Sequence, residues 1–273
     1  MSLVGTLSPS RAADFLACPL LYRFRSVDRL PDAPSPDAVR GTLVHKVLED
    51  LYDLPAVERT PDRAGHLVEP TWQALVELEP ELAGMFGDDA DEDLARWMDS
   101  CHRALAGYFA LEDPSRIEPA ERELPVETLL ESGLLLRGII DRLDVAPDGA
   151  MRVVDYKTGR APGELFEAKA LFQMRFYALV LWRSRGIIPR MLQLIYIGSG
   201  EWLRYEPDEA DLLATERKVL AVWDAIARAK QTQDFQPRPG AICGWCNHRD
   251  LCPAHGGTPP PYPESSETHD HGP

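Results

Sequence analysis

Asp141, Asp155 and Lys157 are the residues of this chain whose types and spacing first indicate chemistry. Carboxylate oxygens are the ligands that hard divalent cations prefer, and an amine close to them can orient or activate a water molecule. Two like charges opposite each other on a sheet repel, so a bound cation is the simplest way to neutralise them. On this stretch alone, two solvated strand carboxylates are an equally good interpretation.

The element that brings these residues together is a β-hairpin predicted within residues 134–157. Pro147 presets φ at the first loop position and Gly149 can adopt a left-handed conformation at the third, which predicts a three-residue loop. When the residues that flank this loop pair with each other, Asp141 lies opposite Asp155.

Alternation along the second strand places Lys157 on the same face as Asp155, so two carboxylates and an amine converge at the open end of the hairpin. The same register pairs Asp144 with Arg152 on the other face. We interpret Asp144 as one half of an ordinary structural ion pair rather than as part of a site.

The length and the hydropathy pattern bound the class of protein. A chain of 273 residues is long enough for one large domain with a substantial core. No apolar run approaches the length of a membrane span, and the N-terminal sequence lacks the regions of a signal peptide. We therefore expect a soluble cytoplasmic protein without a membrane partner. No P-loop and no dinucleotide-type glycine loop are visible, so no nucleotide cofactor is expected.

The net charge of −15 is distributed unevenly along the chain. Residues 53–93 contain twelve acidic and two basic side chains, whereas residues 160–190 contain six basic and two acidic ones. A basic surface beside the hairpin is therefore compatible with the sequence. Attraction of a polyanion would still be weaker than for a basic protein.

Three of the five cysteines form the motif C-x2-C-x5-C near the C-terminus, at Cys243, Cys246 and Cys252. The segment around them is too short to have a core of its own, so a metal centre would supply its stability. Cys18 is a candidate fourth ligand. Four thiolates suit a tetrahedral zinc ion or an iron–sulfur cluster, and the spacing alone does not decide between them.

The fifth cysteine and the histidines are harder to assign. Cys101 lies on the apolar face of a predicted helix and is interpreted as a buried, inert thiol. His248 and His255 are alternative zinc ligands beside the cysteine motif. His45 lies on a predicted helix, where a histidine is more often structural than a ligand.

The remaining elements predict the α/β (α+β) class, with a central mixed sheet flanked by helices. A strand from about Ile117 to Val126 precedes the hairpin and carries Glu121 and Glu123. A helix from about Glu164 to Arg185 follows it. Gln173 and Tyr177 are four residues apart on this helix and therefore lie on one side.

Several short motifs in a fixed order give the chain a family resemblance. It resembles the RecB-type nucleases of the PD-(D/E)XK superfamily, in particular the branch that carries an iron–sulfur cluster. Each motif alone is weak, but the set in this order is specific, and it covers residues 8–255. The motifs are GTLVH at residues 41–45, RGIIDRLD at 137–144, VVDYKTG at 153–159, QMRFY at 173–177, and the early and late cysteines.

The resemblance implies roles for the residues of the hairpin and its neighbours. His45, Asp141 and Asp155 would bind Mg²⁺ or Mn²⁺, together with the backbone carbonyl of Tyr156. Lys157 would position or activate the attacking water. This raises His45 from a structural residue to an expected metal ligand.

The resemblance also implies a glutamate on the preceding strand, for which Glu121 is the best match and Glu123 the alternative. Gln173 and Tyr177 would contact the nucleic-acid backbone. The four cysteines Cys18, Cys243, Cys246 and Cys252 match the ligands of a [4Fe-4S] cluster, which favours this cluster over zinc.

The same resemblance implies a single nuclease domain over residues 1–256, with a helical insertion at about 55–112 and a catalytic core at about 115–206. The iron–sulfur segment at 243–252 would close the domain against Cys18. Residues 257–273 are rich in proline and polar side chains and are expected to be disordered.

The function implied is that of a metal-dependent DNA exonuclease acting on single strands or DNA ends, in repair, recombination or defence. No helicase part is visible, so we expect action on ends that are already single-stranded, or beside a separate helicase or other repair or adaptation partner. The alternative is a DNA-binding or assembly module with a structural cluster that cuts little, or only with a partner protein.

Overall fold

The computed structural model describes residues 4–87, 90–161 and 164–263, except for the side chains of residues 164–169. Seven α-helices are described, and they are α1 (Pro9–Ala17), α2 (Pro19–Tyr22), α3 (Pro36–Leu51), α4 (Pro61–Leu78), α5 (Ala90–Leu111), α6 (Glu164–Arg185) and α7 (Glu209–Thr232). Six strands are described, and they are β1 (Gly5–Leu7), β2 (Glu121–Leu129), β3 (Leu134–Val145), β4 (Met151–Lys157), β5 (Met191–Tyr196) and β6 (Glu201–Tyr205).

The six strands form one mixed sheet in the order β1-β3-β4-β5-β6, and β2 also pairs with β3. The β1–β3 and β4–β5 pairs are parallel, and the other pairs are antiparallel. Because β2 occupies one side of β3 over residues 135–143, β1 and β4 must share its other side. The long strand β3 is therefore the centre of the fold.

Helices cover both faces of the sheet. One core contains residues of α1, α6 and α7, and the other contains residues of α3, α4 and α5. Strand β5 illustrates the alternation, because Leu192 and Leu194 lie in the first core and Ile195 lies in the second. The predicted fold class, a mixed sheet flanked by helices, is confirmed.

The first helix ends just before Cys18. Ser8 is its N-cap, and the chain is extended at Cys18 with φ −159° and ψ 114°. Pro19 then begins the second helix, because proline suits a first helical turn but lacks an N–H for a helix interior. Cys18 thus lies at a corner between α1 and α2.

The C-terminal segment is partly ordered, which corrects the expectation of disorder from residue 257. The ring of Tyr262 stacks on that of Phe235 with 6.1 Å between centroids, and the guanidinium of Arg23 lies 5.3 Å from the Tyr262 ring. An aromatic residue within a proline-rich segment thus packs onto the core. Residues 264–273 lie outside the described part of the chain. Among the described residues, no helix combines the length and hydropathy needed to cross a bilayer.

Candidate active site

The hairpin of β3 and β4 forms with the predicted loop and register. Gly149 has φ +83°, and its N–H donates to the carbonyl of Ala146 at 2.8 Å. The N–H of Ala146 donates to the carbonyl of Ala150 at 2.9 Å, which fixes the register. Asp144 lies opposite Arg152 and forms an ion pair with it at 2.7 Å. The interpretation of Asp144 as structural is confirmed.

The two strands separate at Asp141. Their ladder ends with Arg142 opposite Val154. At the next position the carboxylate of Asp141 accepts the N–H of Tyr156 at 2.7 Å, so a side chain takes the place of the strand partner. Asp141 therefore does not pair with Asp155 in the ladder, as the register alone predicts, but lies at a fork in the sheet.

The side chains of strand β3 change face at this fork. Leu143 and Ile140 are three residues apart, yet both are fully buried in the same core. Regular alternation would put them on opposite faces, so the strand is irregular between them, at Asp141. At the same level of β2, Glu123 has φ +42°, which is uncommon for a residue with a side chain.

His45, Glu123 and Asp141 form a compact set of groups that could ligate a metal, with one ligand atom of each within 4.8 Å of the others. Helix α3 carries His45, whose Nδ1 is 3.5 Å from Oδ2 of Asp141 and whose Nε2 is 2.9 Å from the carbonyl oxygen of Tyr156. Adjacent ligands of an octahedral magnesium ion lie roughly 3 Å apart, since each is about 2.1 Å from the ion. The donor types and their spacing therefore fit a divalent cation.

The structure brings Glu123, and not Glu121, into this set. Glu121 is exposed and lies opposite Leu143, beyond the fork, whereas Glu123 is half-buried. Glu123, which the resemblance gave as the alternative to Glu121, is thus the glutamate beside His45 and Asp141. Its φ of +42° departs from the regular geometry of β2.

Asp155 and Lys157 lie beside helix α6 in a closed network of hydrogen bonds. Nζ of Lys157 is 2.6 Å from Oδ2 of Asp155 and donates to Oε1 of Gln173 at 3.1 Å. Nε2 of Gln173 donates to Oδ1 of Asp155 at 2.9 Å and to the hydroxyl of Tyr177 at 3.1 Å. Of the two residues predicted to contact nucleic acid, Gln173 therefore binds Asp155 and Tyr177 binds Gln173.

Burial and the density of negative charge determine the ionisation of this site. Burial, followed by the nearby Asp155, raises the pKa of Asp141 well above its usual value, and burial also raises the pKa of Glu123. Burial lowers the pKa of His45, which favours the neutral imidazole that a metal requires. Burial would lower the pKa of Lys157, but the charge and hydrogen bond of Asp155 together with the charge of Asp141 outweigh it, and the net direction is upward.

A second buried ion cluster surrounds Arg142, and the sequence analysis did not identify it. The Arg142 guanidinium donates to both carboxylate oxygens of Glu112, at 2.8 and 3.1 Å, and lies 3.1 Å from Asp144. It also donates to the hydroxyls of Tyr156 at 2.6 Å and Tyr52 at 3.1 Å. The available signal in the sequence was an arginine next to the apolar Leu143 in the predicted central strand.

The three cysteines of the motif and Cys18 line one pocket, and they are Cys18, Cys243, Cys246 and Cys252. The backbone N–H of Arg238 donates to Sγ of Cys18 at 3.3 Å, and that of Gly240 donates to Sγ of Cys243 at 3.4 Å. Within the described chain, no three of the sulfurs lie within 4.8 Å of one another. Four thiolates on one zinc ion would be roughly 3.8 Å apart, from a Zn–S distance of about 2.3 Å.

The fifth cysteine and the two histidines lie in three different environments. Cys101 is fully buried in the core that contains α3, α4 and α5, and burial raises the pKa of its thiol to about 11. Its interpretation as an inert thiol is confirmed. His248 is directed to Asp32, with Nε2 3.0 Å from the carboxylate, and its ring packs against Phe24. His255 lines the pocket.

Comparison with known proteins agrees with this architecture. The sequence profile of the PD-(D/E)XK nuclease superfamily matches residues 6–253. The chain is 28% identical over 291 aligned positions to the Gene 69 protein of Mycobacterium phage L5, covering 92% of this chain and 97% of that protein. It is 26% identical over 119 positions to one subunit of the ATP-dependent helicase/deoxyribonuclease of Streptococcus agalactiae serotype Ia, covering 43% of this chain and 10% of that protein.

A solved structure has a similar fold. The crystal structure of a proposed exonuclease from Eubacterium rectale superposes with a TM-score of 0.58 and 13% identity, covering 89% of this chain and 87% of that one. At this identity the similarity supports the fold and nothing finer. The profile match, which extends from β1 to the cysteine motif, shows that the protein belongs to the PD-(D/E)XK nuclease superfamily.

Proposed function

We propose that this protein is a metal-dependent deoxyribonuclease that acts as an exonuclease on single-stranded DNA or DNA ends. The observation that carries the proposal is the excess of negative charge at the fork of the hairpin. Three carboxylates, those of Glu123, Asp141 and Asp155, are close to a single ammonium group and a neutral imidazole. Buried acidic groups in such numbers are ionised only when a cation balances their charge, and a divalent metal ion would do so here.

Mg²⁺ or Mn²⁺ would be held by His45, Glu123 and Asp141, together with the carbonyl of Tyr156. Asp155 would contribute its charge and is a further candidate ligand. When bound, the cation would polarise the phosphate and lower the pKa of a bound water. Because His45 is already neutral, it could bind a metal without first losing a proton.

Lys157 would act as a fixed positive charge. Its raised pKa keeps it protonated at neutral pH, so it would stabilise negative charge developing on the phosphate and orient the attacking water rather than remove a proton. Asp155 and Gln173 hold its Nζ from two directions. Gln173 is thus proposed as a positioning residue, and Tyr177 as a neighbour that fixes its amide.

The test is digestion of single-stranded DNA labelled at either end, with Mg²⁺ or Mn²⁺. We expect wild-type protein to shorten the DNA, and Asp155→Ala and Lys157→Met each to lower the rate by about 10²–10³-fold, the effect of removing one electrostatic group from a hydrolytic site. Progressive loss of label from one end gives the polarity of digestion.

The two glutamates of β2 provide a matched pair for the same assay. Glu123→Gln should lower activity at a fixed, limiting Mg²⁺ concentration, whereas Glu121→Gln should leave it unchanged, because only Glu123 lies with His45 and Asp141. Equal effects of the two substitutions would argue against the proposed metal ligands. Folded wild-type protein that cuts neither DNA end with either metal would refute the proposed activity.

We further propose that the cysteine pocket binds a [4Fe-4S] cluster rather than zinc. Among the described residues, no three of the sulfurs lie as close together as a single zinc ion would hold them, which supports this choice. Protein purified anaerobically should be brown and contain about four iron atoms per chain, and Cys252→Ser should be colourless. A colourless wild-type protein with one zinc ion would refute the proposal.

A helicase partner is proposed on the basis of one relative. The protein that matches 119 positions is part of a helicase/deoxyribonuclease, and this chain covers only 10% of it. We expect digestion of blunt duplex DNA only when a separate helicase and ATP are added, in a repair, recombination or defence setting. Rapid digestion of blunt duplex by the protein alone would refute the need for a partner.

A further inference from the structure

The backbone of Tyr156 makes two of the contacts that hold the candidate metal site together. Tyr156 lies between Asp155 and Lys157 in β4, and its N–H donates to Oδ2 of Asp141 at 2.7 Å. Its carbonyl oxygen lies 2.9 Å from Nε2 of His45. The position of this backbone therefore determines where two of the proposed ligands lie relative to β4.

The side chain of Tyr156 connects this backbone to Arg142. The tyrosine ring is buried in the core that contains α3, α4 and α5, and it meets the ring of His45 edge to face with 5.9 Å between centroids. Its hydroxyl accepts a hydrogen bond from the Arg142 guanidinium at 2.6 Å. A hydrogen bond from a charged donor is stronger than one between neutral groups, so this contact fixes the ring firmly.

The bond between Arg142 and Tyr156 spans the fork in the sheet. The β3–β4 ladder ends with Arg142 opposite Val154, and Tyr156 lies two residues farther along β4. A side-chain bond thus connects the two strands just beyond their last backbone pair. Because Asp141 is next to Arg142 in β3, this bond limits the separation between Asp141 and the backbone of Tyr156.

The same guanidinium also holds the helix that carries His45. It donates to the hydroxyl of Tyr52 at 3.1 Å. Tyr52 is the C-cap residue of α3, seven residues and so about two turns after His45. The proposed metal contacts on α3, β3 and β4 therefore lie on three elements that are all connected to Arg142, which is itself part of β3.

Arg142 has little freedom to move. It is fully buried, and its guanidinium donates to both carboxylate oxygens of Glu112, at 2.8 and 3.1 Å. Its Nε lies 3.1 Å from Oδ1 of Asp144. A planar guanidinium bound to a carboxylate through two hydrogen bonds has a fixed orientation as well as a fixed position. The two tyrosine hydroxyls are therefore held at fixed points in the core.

We propose that Arg142 is a positioning residue for the metal site, and that it acts through the hydroxyls of Tyr156 and Tyr52 to favour Mg²⁺ over Ca²⁺. Mg²⁺ requires near-ideal octahedral ligands at about 2.0–2.1 Å, whereas Ca²⁺ accepts a flexible arrangement at about 2.3–2.6 Å. A network that fixes three elements therefore favours the smaller ion. The inference rests on the proposed metal ligands and adds the residues that hold them in place.

The test is the dissociation constant of the metal alone, measured for Mg²⁺ and for Ca²⁺ by titration calorimetry on the anaerobically purified full chain. Tyr156→Phe removes the hydroxyl and keeps the ring. It should weaken Mg²⁺ binding about tenfold, the effect typical of residues that orient metal ligands, and Ca²⁺ binding less than about twofold. Tyr52→Phe is an independent variant and should act in the same direction by a smaller factor, since Tyr52 is distant from His45 along α3.

Tyr108→Phe is the matched control. Tyr108 is fully buried in the same core, and its hydroxyl is 2.7 Å from that of Tyr52, but none of the described hydrogen bonds of Arg142 goes to it. Tyr108→Phe and Tyr156→Phe each remove one buried hydroxyl, so both should lower the melting temperature by about 2–4 °C. Only Tyr156→Phe should change the affinity for Mg²⁺. Equal Mg²⁺ affinities of these two variants, or equal weakening of Mg²⁺ and Ca²⁺ binding by Tyr156→Phe, would each overturn the proposal.

Failure of this inference can be distinguished from failure of the proposed nuclease function. If wild-type protein binds Mg²⁺ and digests DNA but Tyr156→Phe binds Mg²⁺ as Tyr108→Phe does, only the positioning role is wrong. If Tyr156→Phe loses Mg²⁺ affinity as expected but wild-type protein digests nothing, the positioning role stands and the nuclease proposal is wrong.

Discussion

Two buried ion clusters adjoin on the β3–β4 hairpin, and they have opposite charge balances. Around Arg142, the acidic Glu112 and Asp144 are matched by two guanidinium groups, those of Arg142 and Arg152. At the fork, Lys157 is the one ammonium group paired with Glu123, Asp141 and Asp155 among the described residues, since Lys46 near Glu123 is already paired with Glu49 and Asp50. The first cluster is neutral, and the second has an excess of two carboxylates.

The difference shows which charges serve the fold and which are available to a ligand. Arg142 is fully buried and bonds to four side chains, so its cluster stabilises the contact between α5 and the sheet. At the fork, burial raises the pKa of both Asp141 and Glu123, which means that the ionised forms are unfavourable in the chain alone. A site that is unfavourable without a cation is one that a cation can stabilise.

The largest effect expected from this comparison comes from breaking the neutral cluster. Arg142→Met should lower the free energy of unfolding by about 3–5 kcal/mol, because Glu112 and Asp144 then remain buried without their main partner. Arg152→Met is the matched control on the same carboxylate, and since Arg152 is partly exposed it should cost less than about 1 kcal/mol. Urea denaturation of both variants measures the difference, and equal losses would contradict the assignment of Arg142 as the central cation.

The second prediction concerns the cluster that is not neutral. A divalent cation should raise the free energy of unfolding of wild-type protein by about 2.7 kcal/mol at a concentration one hundred times its dissociation constant. Asp141→Asn should abolish most of this gain, while Asp148→Asn, at the exposed turn of the same hairpin, should keep it. Thermal unfolding with increasing Mg²⁺ provides the measurement, and an equal response of the two variants would place the ion elsewhere.

The third prediction is that a substitution in the candidate active site raises the free energy of unfolding instead of lowering it. In the presence of EDTA at pH 7, Asp141→Asn should stabilise the protein by about 1 kcal/mol, because the amide removes an unfavourable buried charge and keeps an acceptor for the Tyr156 N–H. The same variant should lose nuclease activity. A destabilised Asp141→Asn protein would show that the carboxylate serves the fold, as Asp144 does.

The hairpin illustrates how much of this comparison the sequence predicts. Pro147 and Gly149 determine a loop with one favoured register, so the pairing of Asp144 with Arg152 and the approach of Asp155 to Lys157 follow from local rules. The helix predicted from about Glu164 to Arg185 likewise corresponds to α6. Local chemistry is sufficient where the interaction partners are close in sequence or fixed by a turn.

The fork itself could not be predicted, since its geometry depends on contacts that are distant in sequence. The positive φ of Glu123 and the change of side-chain face in β3 at Asp141 break the regular alternation of the strands. The residue types at these positions do not predict either irregularity. The partner that buries Arg142 is Glu112, thirty residues earlier, just after α5. Strand β1, only three residues long, is too short for any periodic pattern and is identified by its pairing with β3.

The smallest expected effect is a pH dependence of the stability difference between Asp141→Asn and wild-type protein. The folded-state pKa of Asp141 is raised, so its contribution to stability is fully present below its unfolded pKa of about 3.9 and is lost as pH rises through the folded value. In EDTA, the advantage of Asp141→Asn over wild type should therefore grow with pH above about 4, by up to about 1 kcal/mol. Urea midpoints at several pH values measure it, and Asp148→Asn is the control that should show no such growth. A difference between Asp141→Asn and wild type that stays constant with pH would mean that Asp141 is already neutralised by the chain, and the contrast between the two clusters would fail.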